Sequence, residues 1–363
     1  MRRLGVLLTP ALAVLLSLPP APSTAVPGEA DATAQGPNPF RDGWHESVLD
    51  ADQNFRGLEA VSRTEAWVTG ESLTDGGVAR VFRTTDRGRT WADVSPADSA
   101  GLSFRDVEVH GKVAHVLAIG PGEASRIYRS TDGGATWTEA FRNTDEKAFY
   151  DCMAFYGNGR RGLAVSDPVE GKLRILSTDD RGRSWSVLPS RGMPATADEF
   201  GFAASGDCLV TSGTSAFIIT GGAKSRVLRS DDRGLTWKAT ASGIPAGESA
   251  GGFAGAFASP RHGIVVGGDF ADAGNTEDTT AYTRDGRTWT SGGDLRHVGE
   301  DVTVLRGWRY ALATGDYDGS AGTSLTSDGG RTWTRVSKKG YHVIDCVATT
   351  CWAAGSTGRV GRG

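Results

Sequence analysis

The sequence lacks the patterns that mark a cofactor enzyme, a metal protein or a membrane protein. No dinucleotide-binding fingerprint, in which a glycine-rich turn joins a strand to a helix, and no haem-attachment sequence is predicted. The four cysteines contain no C-x-x-C pair, which argues against a zinc site. The net charge of −4 gives no support for binding nucleic acid or an anionic membrane. We therefore expect no cofactor, no bound metal and no nucleic-acid partner.

Long apolar runs are also missing, except at the N-terminus. Met1-Arg2-Arg3 precedes an apolar run over residues 4–18 that is too short to span a bilayer. Small residues at 23–25 offer a cleavage site, so residues 1–25 are predicted to be a secretory signal peptide. Ala32 and Ala34 are alternative cleavage points. No cysteine follows the run, which argues against a lipoprotein and favours a secreted or periplasmic protein with no membrane span.

After the predicted cleavage point, the rest of the chain divides into two parts. Residues 26–39 are rich in Ala, Pro, Gly and Thr and are predicted to be a disordered lead-in. Residues 40–363 are predicted to form one domain. The 51 glycines show no collagen-like period, and such a number fits many tight turns between short strands.

One short motif recurs six times at nearly even spacing. Each copy combines a Ser or Thr, an Asp, a Gly and a final Trp, and the gaps between the tryptophans are 46, 48, 52, 52 and 44 residues. A period of this length is typical of a β-propeller, in which four-stranded sheets called blades surround a central channel. The aspartates and tryptophans of the copies are Asp86 and Trp91, Asp132 and Trp137, Asp180 and Trp185, Asp232 and Trp237, Asp285 and Trp289, and Asp328 and Trp333.

A local structural role explains each residue type of the motif. The hydroxyl and carboxylate side chains should bond to backbone N–H groups of a tight turn, the Gly tolerates a positive φ, and the Trp should begin the next strand and pack between blades. The fifth copy lacks one residue between Asp285 and Gly286, so its turn should be tighter.

The motif resembles the Asp-box, or BNR repeat, which occurs in sialidases, glucan-cleaving propellers, sortilin-like receptors and photosystem II stability/assembly factors. In these proteins the box is a structural turn. The chain also resembles exported bacterial propellers labelled photosystem II stability/assembly factor-like. That resemblance implies a propeller scaffold that binds a partner protein; it does not imply photosynthesis.

The pattern predicts an all-β fold with seven blades. Each repeat divides into strands A to D, and the second unit shows them at 104–111, 113–120, 125–132 and 136–141. Strand A is predicted in the other units at 55–61, 149–156, 200–206, 251–257, 301–305 and 342–348. Strand B is predicted there at 65–70, 161–166, 216–222, 262–268, 309–315 and 351–356.

The final unit lacks a strand D, and the N-terminal segment offers one. Trp44 lies 47 residues before Trp91, in register with the period. We therefore predict that residues 42–48 pair with the strand near Val360 and close the ring without a free sheet edge. A six-bladed ring is the alternative, and it leaves the last A–B unit unexplained.

Acidic residues gather in the connections opposite the boxes. Every box joins strands C and D, so the boxes share one face, and the start of strand A and the end of strand B lie on the other face. We predict a ligand-binding site at this channel mouth, which propellers commonly use. Its candidate residues are Asp106, Asp151, Asp301 and Asp345 on strand A, Glu71, Asp167, Asp269 and Asp316 on strand B, and Arg56, Arg105 and Glu199 nearby.

A structural role is the alternative for these acids, since an Asp can simply cap a turn. The run Asp316-Tyr317-Asp318-Gly319 resembles the start of a calcium loop but lacks the later ligands. Four cysteines in an exported protein suggest two disulfides, predicted as Cys346–Cys351 across a hairpin and Cys152–Cys208 between adjacent blades. Buried free thiols are the alternative.

We expect a monomeric, non-enzymatic scaffold that binds a protein or extracellular ligand. The enzymatic alternative is a glycoside hydrolase, either a sialidase or an enzyme that uses two channel carboxylates. A sialidase needs an Arg-Ile-Pro motif near its start, and the corresponding region reads Asn54-Phe55-Arg56-Gly57 instead.

Overall fold

The computed structural model describes residues 43–363, which are almost entirely β-strands and turns. The predicted signal peptide, the lead-in and residues 40–42 lie outside the described residues. All of the strand pairs in the described part are antiparallel, as expected for an all-β chain with short connections. Strand β1 (His45–Val48) comes first and does not pair with the strands that immediately follow it.

Four-stranded groups then succeed one another, and within each group chain neighbours pair in order. The first group is β2 (Gln53–Ala60), β3 (Ala66–Ser72), β4 (Val81–Thr84) and β5 (Ala92–Asp93). The second is β6 (Ser103–His110), β7 (Val113–Ile119), β8 (Arg126–Ser130) and β9 (Thr138–Arg142). The third is β10 (Tyr150–Phe155), β11 (Gly162–Val169), β12 (Lys172–Thr178) and β13 (Ser186–Val187).

The fourth group contains an insertion. Its strands are β15 (Leu209–Ser212), β16 (Ser215–Ile219), β18 (Arg226–Ser230) and β19 (Lys238–Ala241), while β14 (Glu199–Phe200) pairs with β17 (Gly221–Gly222) beside it. The fifth group is β20 (Gly247–Ser259), β21 (His262–Asp269), β22 (Thr280–Thr283) and β23 (Thr290–Ser291). Short 3-10 helices lie at Gly122–Ala124 and Ser190–Gly192.

The sixth group is β24 (Asp301–Arg306), β25 (Tyr310–Tyr317), β26 (Ser320–Thr326) and β27 (Thr334–Ser337). The last group is β28 (Val343–Val347), β29 (Thr350–Ala354) and β30 (Arg359–Arg362), and β1 is its fourth strand. Ser47 of β1 lies opposite Val360 of β30. The pairing expected for the N-terminal strand is therefore present, and the Tyr341 hydroxyl adds a 2.6 Å hydrogen bond to Glu46 Oε1.

The first three strands of a group are mostly buried or half-buried, and the fourth strand is the most exposed. Every residue of β10 is buried, whereas both residues of β5 and β13 are exposed. This gradient explains the sequence pattern, because inner strands need apolar side chains on both faces and outer strands do not. The shortness of the outermost strands also limits the exposed sheet edge.

Two expectations need correction. Residues 200–206 were predicted as strand A of the fourth unit, but that strand is β15, and residues 201–206 form an irregular segment before it. The prediction was wrong because Phe202 and its small neighbours have the composition of a strand. Their backbone carbonyls accept hydrogen bonds from arginine side chains and not from a neighbouring strand. The sequence also contains a G-x-G-x-x-G run at 157–162, which is the hairpin between β10 and β11 and leads into no helix.

Candidate binding site at the channel mouth

Four first strands carry a β-bulge at corresponding places. The register shifts between Phe55 and Gly57, between Phe104 and Asp106, between Tyr150 and Cys152, and between Gly252 and Ala254. A bulge leaves one residue unpaired and re-aims its side chain. The four residues so placed are Arg56, Arg105, Asp151 and Phe253.

The plug segment, residues 201–206, is bonded to these bulge residues. Arg56 Nη1 donates to the Ala204 carbonyl and Arg105 Nη1 donates to the Ala203 carbonyl, each at 3.0 Å. Ser205 Oγ donates to Asp301 Oδ1 at 3.2 Å. Two arginines thus provide hydrogen bonds for backbone carbonyls that are not paired within a β-sheet. These bonds hold the plug segment against the first strands of the groups.

A disulfide fixes the end of the plug segment. Cys208 is bonded to Cys152 of β10, the pairing predicted between adjacent repeat units. Gly206 leaves no room for a side chain, since a Cβ there would lie 2.6 Å from the Asp106 carboxyl carbon. The segment therefore lies in close contact with the first strands of the second and third groups.

Aromatic side chains surround an open cavity of about 190 Å³ beside the plug segment. The Phe202 ring makes edge contacts with the rings of Phe253 at 5.3 Å and Phe270 at 5.5 Å. Tyr317 and Val298 complete the apolar lining, and Arg56, Arg105 and Glu300 supply its polar part. Phe270 remains 42% exposed, so the cavity has an apolar rim that solvent reaches.

Each arginine of the mouth has a carboxylate partner. Arg56 Nη1 lies 3.0 Å from Glu300 Oε1, and Arg105 Nη2 lies 3.3 Å from Glu71 Oε1. Burial acts to raise the pKa of Glu300, but His342, Arg56 and the Asp316 N–H together lower that pKa to about 2. Burial and the nearby Arg56 lower the pKa of Arg105 to about 10. The polar side of the cavity is therefore a set of paired charges.

Asp151 and Asp167 form a carboxyl pair beside the plug segment. Burial and then the charge of Asp167 raise the pKa of Asp151 well above its usual value. Burial also raises the pKa of Asp167 to about 7, although the Gly201 N–H and Asp151 act in the opposite direction. Among residues 43–363, Asp151 Oδ2 and Asp167 Oδ1 are buried without a hydrogen-bond donor, and a proton shared by the two carboxyl groups would satisfy both.

Deeper in the channel, aspartates link neighbouring first strands. Asp106 Oδ2 accepts the Met153 N–H at 2.6 Å and Asp301 Oδ2 accepts the Ile344 N–H at 2.7 Å. Asp345 Oδ2 accepts the Ala60 N–H at 2.9 Å, which joins the last group to the first. These three predicted site residues thus bond to backbone across group boundaries.

Sequence reasoning missed three further acids of the channel, Glu59, Glu108 and Asp207. Burial, followed by neighbouring carboxylates, raises the pKa of Glu59 and Glu108 well above the usual value, and burial raises that of Asp207 to about 7. Glu108 could have been found, since it lies two positions after Asp106 on the same face of a strand. Glu300 and His342 carried no sequence signal.

The side chains of the remaining predicted site residues bond to partners outside the mouth cluster. Asp269 Oδ1 accepts the Ser249 hydroxyl at 2.6 Å, and Asp316 Oδ2 pairs with Arg359 Nη2 at 2.5 Å. Glu199, fully buried, pairs with Arg226 at 2.6 Å. The structure thus brings together Arg56, Arg105, Glu71, Asp151 and Asp167 at the mouth, and places Asp106, Asp301 and Asp345 below them.

The six Asp-boxes form the turns between third and fourth strands. In the first box, Asp86 Oδ1 accepts the Thr90 N–H at 2.9 Å and Oδ2 accepts the Thr90 hydroxyl at 2.7 Å. Asp132, Asp180, Asp232 and Asp328 repeat these bonds over four residues, whereas Asp285 makes them over three. The shorter fifth turn follows from its missing residue.

The box tryptophans pack against neighbouring rings and strands. Trp91 lies 5.8 Å from Trp352 of the last group, and Trp137 lies 6.4 Å from Trp67 and donates to the Val94 carbonyl at 2.6 Å. The second disulfide, Cys346–Cys351, joins directly opposed residues of β28 and β29 on this face, as predicted. Box and disulfide therefore belong to the same side of the molecule.

Within residues 43–363, no three His, Cys, Asp or Glu side chains converge closely enough to hold a metal ion. No helix in that same range is long and apolar enough to cross a membrane.

A family model for the BNR/Asp-box repeat matches residues 128–139, which contain the second box. No curated protein matches the chain significantly. Among solved structures, "YCF48 bound to D1 peptide" matches with a TM-score of 0.61 and 17% identity over 91% of this chain and 98% of that chain. "YCF48 from Cyanidioschyzon merolae" has a TM-score of 0.58 and 18% identity over 88% of this chain and 98% of that chain.

A chain in the "Crystal Structure of Mitotic Checkpoint Complex" matches with a TM-score of 0.57 and 12% identity, over 96% of this chain and 98% of that chain. At such identities these likenesses show the fold and nothing finer. Together with the boxes they establish a BNR β-propeller that resembles YCF48.

Proposed function

We propose that this BNR/Asp-box β-propeller is a non-enzymatic scaffold that binds a segment of a partner protein at the channel mouth. The observation that carries the proposal is the cavity lined by Phe202, Phe253, Phe270 and Tyr317. Its 190 Å³ is smaller than a usual small-molecule pocket of roughly 300–1,000 Å³, and it suits one or two apolar side chains of a peptide. The similar YCF48 structure holds a peptide of the D1 protein, which supports a protein ligand here.

The charges at the mouth favour binding over hydrolysis. A sialidase uses arginines to grip a substrate carboxylate, but Arg56 and Arg105 already bond to Glu300, Glu71 and the plug carbonyls. A glycosidase needs two carboxyl groups on either side of an open cleft. Asp151, by contrast, is 3% exposed and lies beside Gly201 of the plug segment.

We further propose that the scaffold is a closed ring of seven blades over residues 40–363. The four-stranded groups, the pairing of β1 with β30 and the Asp345–Ala60 bond support this closure. The two disulfides support an oxidising, extracytoplasmic location, with residues 1–25 removed and 26–39 as a lead-in. The mass of the exported protein tests the cleavage point near Ala25.

A displayed peptide library tests the proposed binding site. Phage that carry random peptides are selected on the exported protein, and the recovered peptides are titrated against a Phe270→Ser variant. We expect roughly tenfold weaker binding, because the variant removes the exposed aromatic wall of the cavity. The matched control is Leu235→Ser, which also replaces an exposed apolar side chain but lies in a box, on the opposite face from the mouth. Equal binding to wild type and Phe270→Ser would contradict the proposal.

A further inference from the structure

The face that carries the Asp-boxes differs in charge from the face that carries the channel mouth. Box-face connections join first to second strands and third to fourth strands, and in them Arg and Lys outnumber Asp and Glu. In the connections of the opposite face the acids outnumber the bases. The box aspartates are also engaged in their own turns, so the basic side chains dominate what a ligand meets on the box face.

One cavity on the box face is lined by arginines and by no carboxylate. It measures about 430 Å³ and lies between the hairpin 156–161, the hairpin 213–214 and the fourth box. Its arginines are Arg160, Arg161 and Arg233. Within residues 43–363 none of the three has a carboxylate within ion-pair distance, in contrast to the arginines of the channel mouth.

Local structure holds these arginines in place. The Tyr156 N–H donates to the Arg161 carbonyl at 2.9 Å, which closes the hairpin, and Arg160 Nε donates to the Asp179 carbonyl at 2.8 Å. Arg233 sits at the turn of its box with a φ of 64°. Three guanidinium groups are therefore brought to one cavity by two separate turns while most of their donors stay unused.

A buried hydroxyl completes the cavity wall. Tyr156 is only 8% exposed, yet its hydroxyl has no hydrogen-bond partner among residues 43–363. Leaving a buried hydroxyl unpaired costs roughly 1–3 kcal/mol, so such groups usually have a partner. The same side chain lines the cavity, but its hydroxyl oxygen is shielded from the cavity space and does not contact the proposed ligand.

Asp232, which directly precedes Arg233 in the box, is already committed to its turn. Asp232 accepts the Thr236 N–H at 2.8 Å and the Thr236 and Ser230 hydroxyls at 2.6 and 2.9 Å. Burial acts to raise its pKa, but these hydrogen bonds lower the pKa overall and keep the group ionised. It offsets part of the positive charge and leaves the three guanidinium groups without a bonded anion.

We propose that this cavity binds a phosphate group through Arg160, Arg161 and Arg233. Guanidinium groups match the geometry of phosphate oxygens and donate paired hydrogen bonds to them. This site lies on the opposite face from the peptide site and does not depend on it. The phosphate can be free or part of a phosphodiester polymer, since both present the same oxygens.

Calorimetric titration of the full-length exported protein tests the proposal with two probes, inorganic phosphate and poly(glycerol phosphate). Sodium chloride at equal ionic strength is the blank for each. We expect saturable binding that Arg161→Gln or Arg233→Gln weakens at least about tenfold. The matched control is Arg87→Gln, because Arg87 has the same box position and a φ of 69°. Binding by Arg87→Gln should equal that of wild type.

The outcomes distinguish the two possible sources of the phosphate group, which are free phosphate and a phosphodiester polymer. Binding of inorganic phosphate with this variant pattern supports a site for the free group. Binding of the polymer alone with the same pattern supports a phosphodiester ligand. If neither probe binds, or if Arg87→Gln weakens binding as much as Arg233→Gln does, the proposal is wrong. Unchanged melting temperatures of the variants exclude unfolding as the reason for any loss.

Discussion

Aspartates of the channel and aspartates of the boxes occupy opposite environments in the same repeats. Asp301 is fully buried, and burial with the neighbouring Asp207 raises its pKa well above the usual value. Asp180 lies at the surface, where hydrogen bonds from Ser184, Thr178 and Arg183 outweigh the effect of burial and lower its pKa to about 2. Burial therefore decides the pKa of the channel aspartate, even though it also accepts hydrogen bonds, whereas local donors decide the pKa of the exposed box aspartate.

The two regions also differ in how far their partners lie along the chain. Box bonds join residues two to four positions apart, so each turn forms from its own sequence. At the mouth, Arg56 bonds to Ala204 and Glu300, which are 148 and 244 positions away. The mouth therefore depends on the assembled fold, and changes there should affect stability more than changes in a single box.

The largest expected difference comes from the disulfides. Replacing Cys152 and Cys208 with Ala opens a loop of 56 residues at the mouth and should reduce the free energy of unfolding by about 4 kcal/mol. Replacing Cys346 and Cys351 with Ala opens a loop whose ends are only 5 residues apart, and it should reduce the free energy of unfolding by about 2 kcal/mol. Urea unfolding of both double variants measures the contrast. Equal losses would contradict the comparison.

A buried ion pair gives the next contrast. Arg56→Gln leaves Glu300 buried with one cation fewer and frees the Ala204 carbonyl, so we expect a loss of about 3 kcal/mol in urea unfolding. Arg80→Gln is the control, because its pair with Asp93 is exposed and should contribute less than about 1 kcal/mol. A loss for Arg56→Gln no larger than for the control would show that the mouth network adds little stability.

The channel carboxyls predict a pH dependence. Asp167 has a folded pKa of about 7 against an ordinary 3.8, so between these values the folded state holds a proton that the unfolded chain has released. Stability should therefore fall as pH rises from about 4 to 7, by an amount on the order of 3 kcal/mol. Asp151→Asn should make this fall shallower, while Asp272→Asn, at an exposed carboxylate, should not. Parallel pH profiles for all three proteins would contradict the shared proton.

A single box gives the smallest effect. Asp328→Ala removes the acceptor for the Arg331 and Thr332 N–H groups and should destabilise the protein by about 1 kcal/mol, because the turn is close to solvent. Since the pKa of Asp328 is lowered, its contribution should disappear as pH falls below about 4, the reverse of the channel carboxyls. Melting temperatures at pH 7 and pH 3 measure both. Binding of peptides at the mouth should be unaffected.

Local patterns in the sequence predicted much of this fold. The spacing of the boxes, the pairing of residues 45–48 with the strand at Val360 and both disulfide pairs were all expected from it. The strand predicted for the fourth unit was wrong, because Phe202 and its neighbours have the composition of a strand but form the plug segment. Positions that share a place in the repeat also diverged, since a bulge re-aims Asp151 while Asp106 remains in the ladder.

The sequence by itself determined the strands and turns of this protein, because an Asp-box is stabilised by bonds between residues at most four positions apart. Only the tertiary structure decided which acids are charged and which residues meet at the channel mouth. Bulges, the plug segment and the packing of first strands around one axis bring together Arg56, Ala204 and Glu300 from distant units. Their pairing depends on burial and on distances in space, and neither quantity appears in the spacing of a repeat.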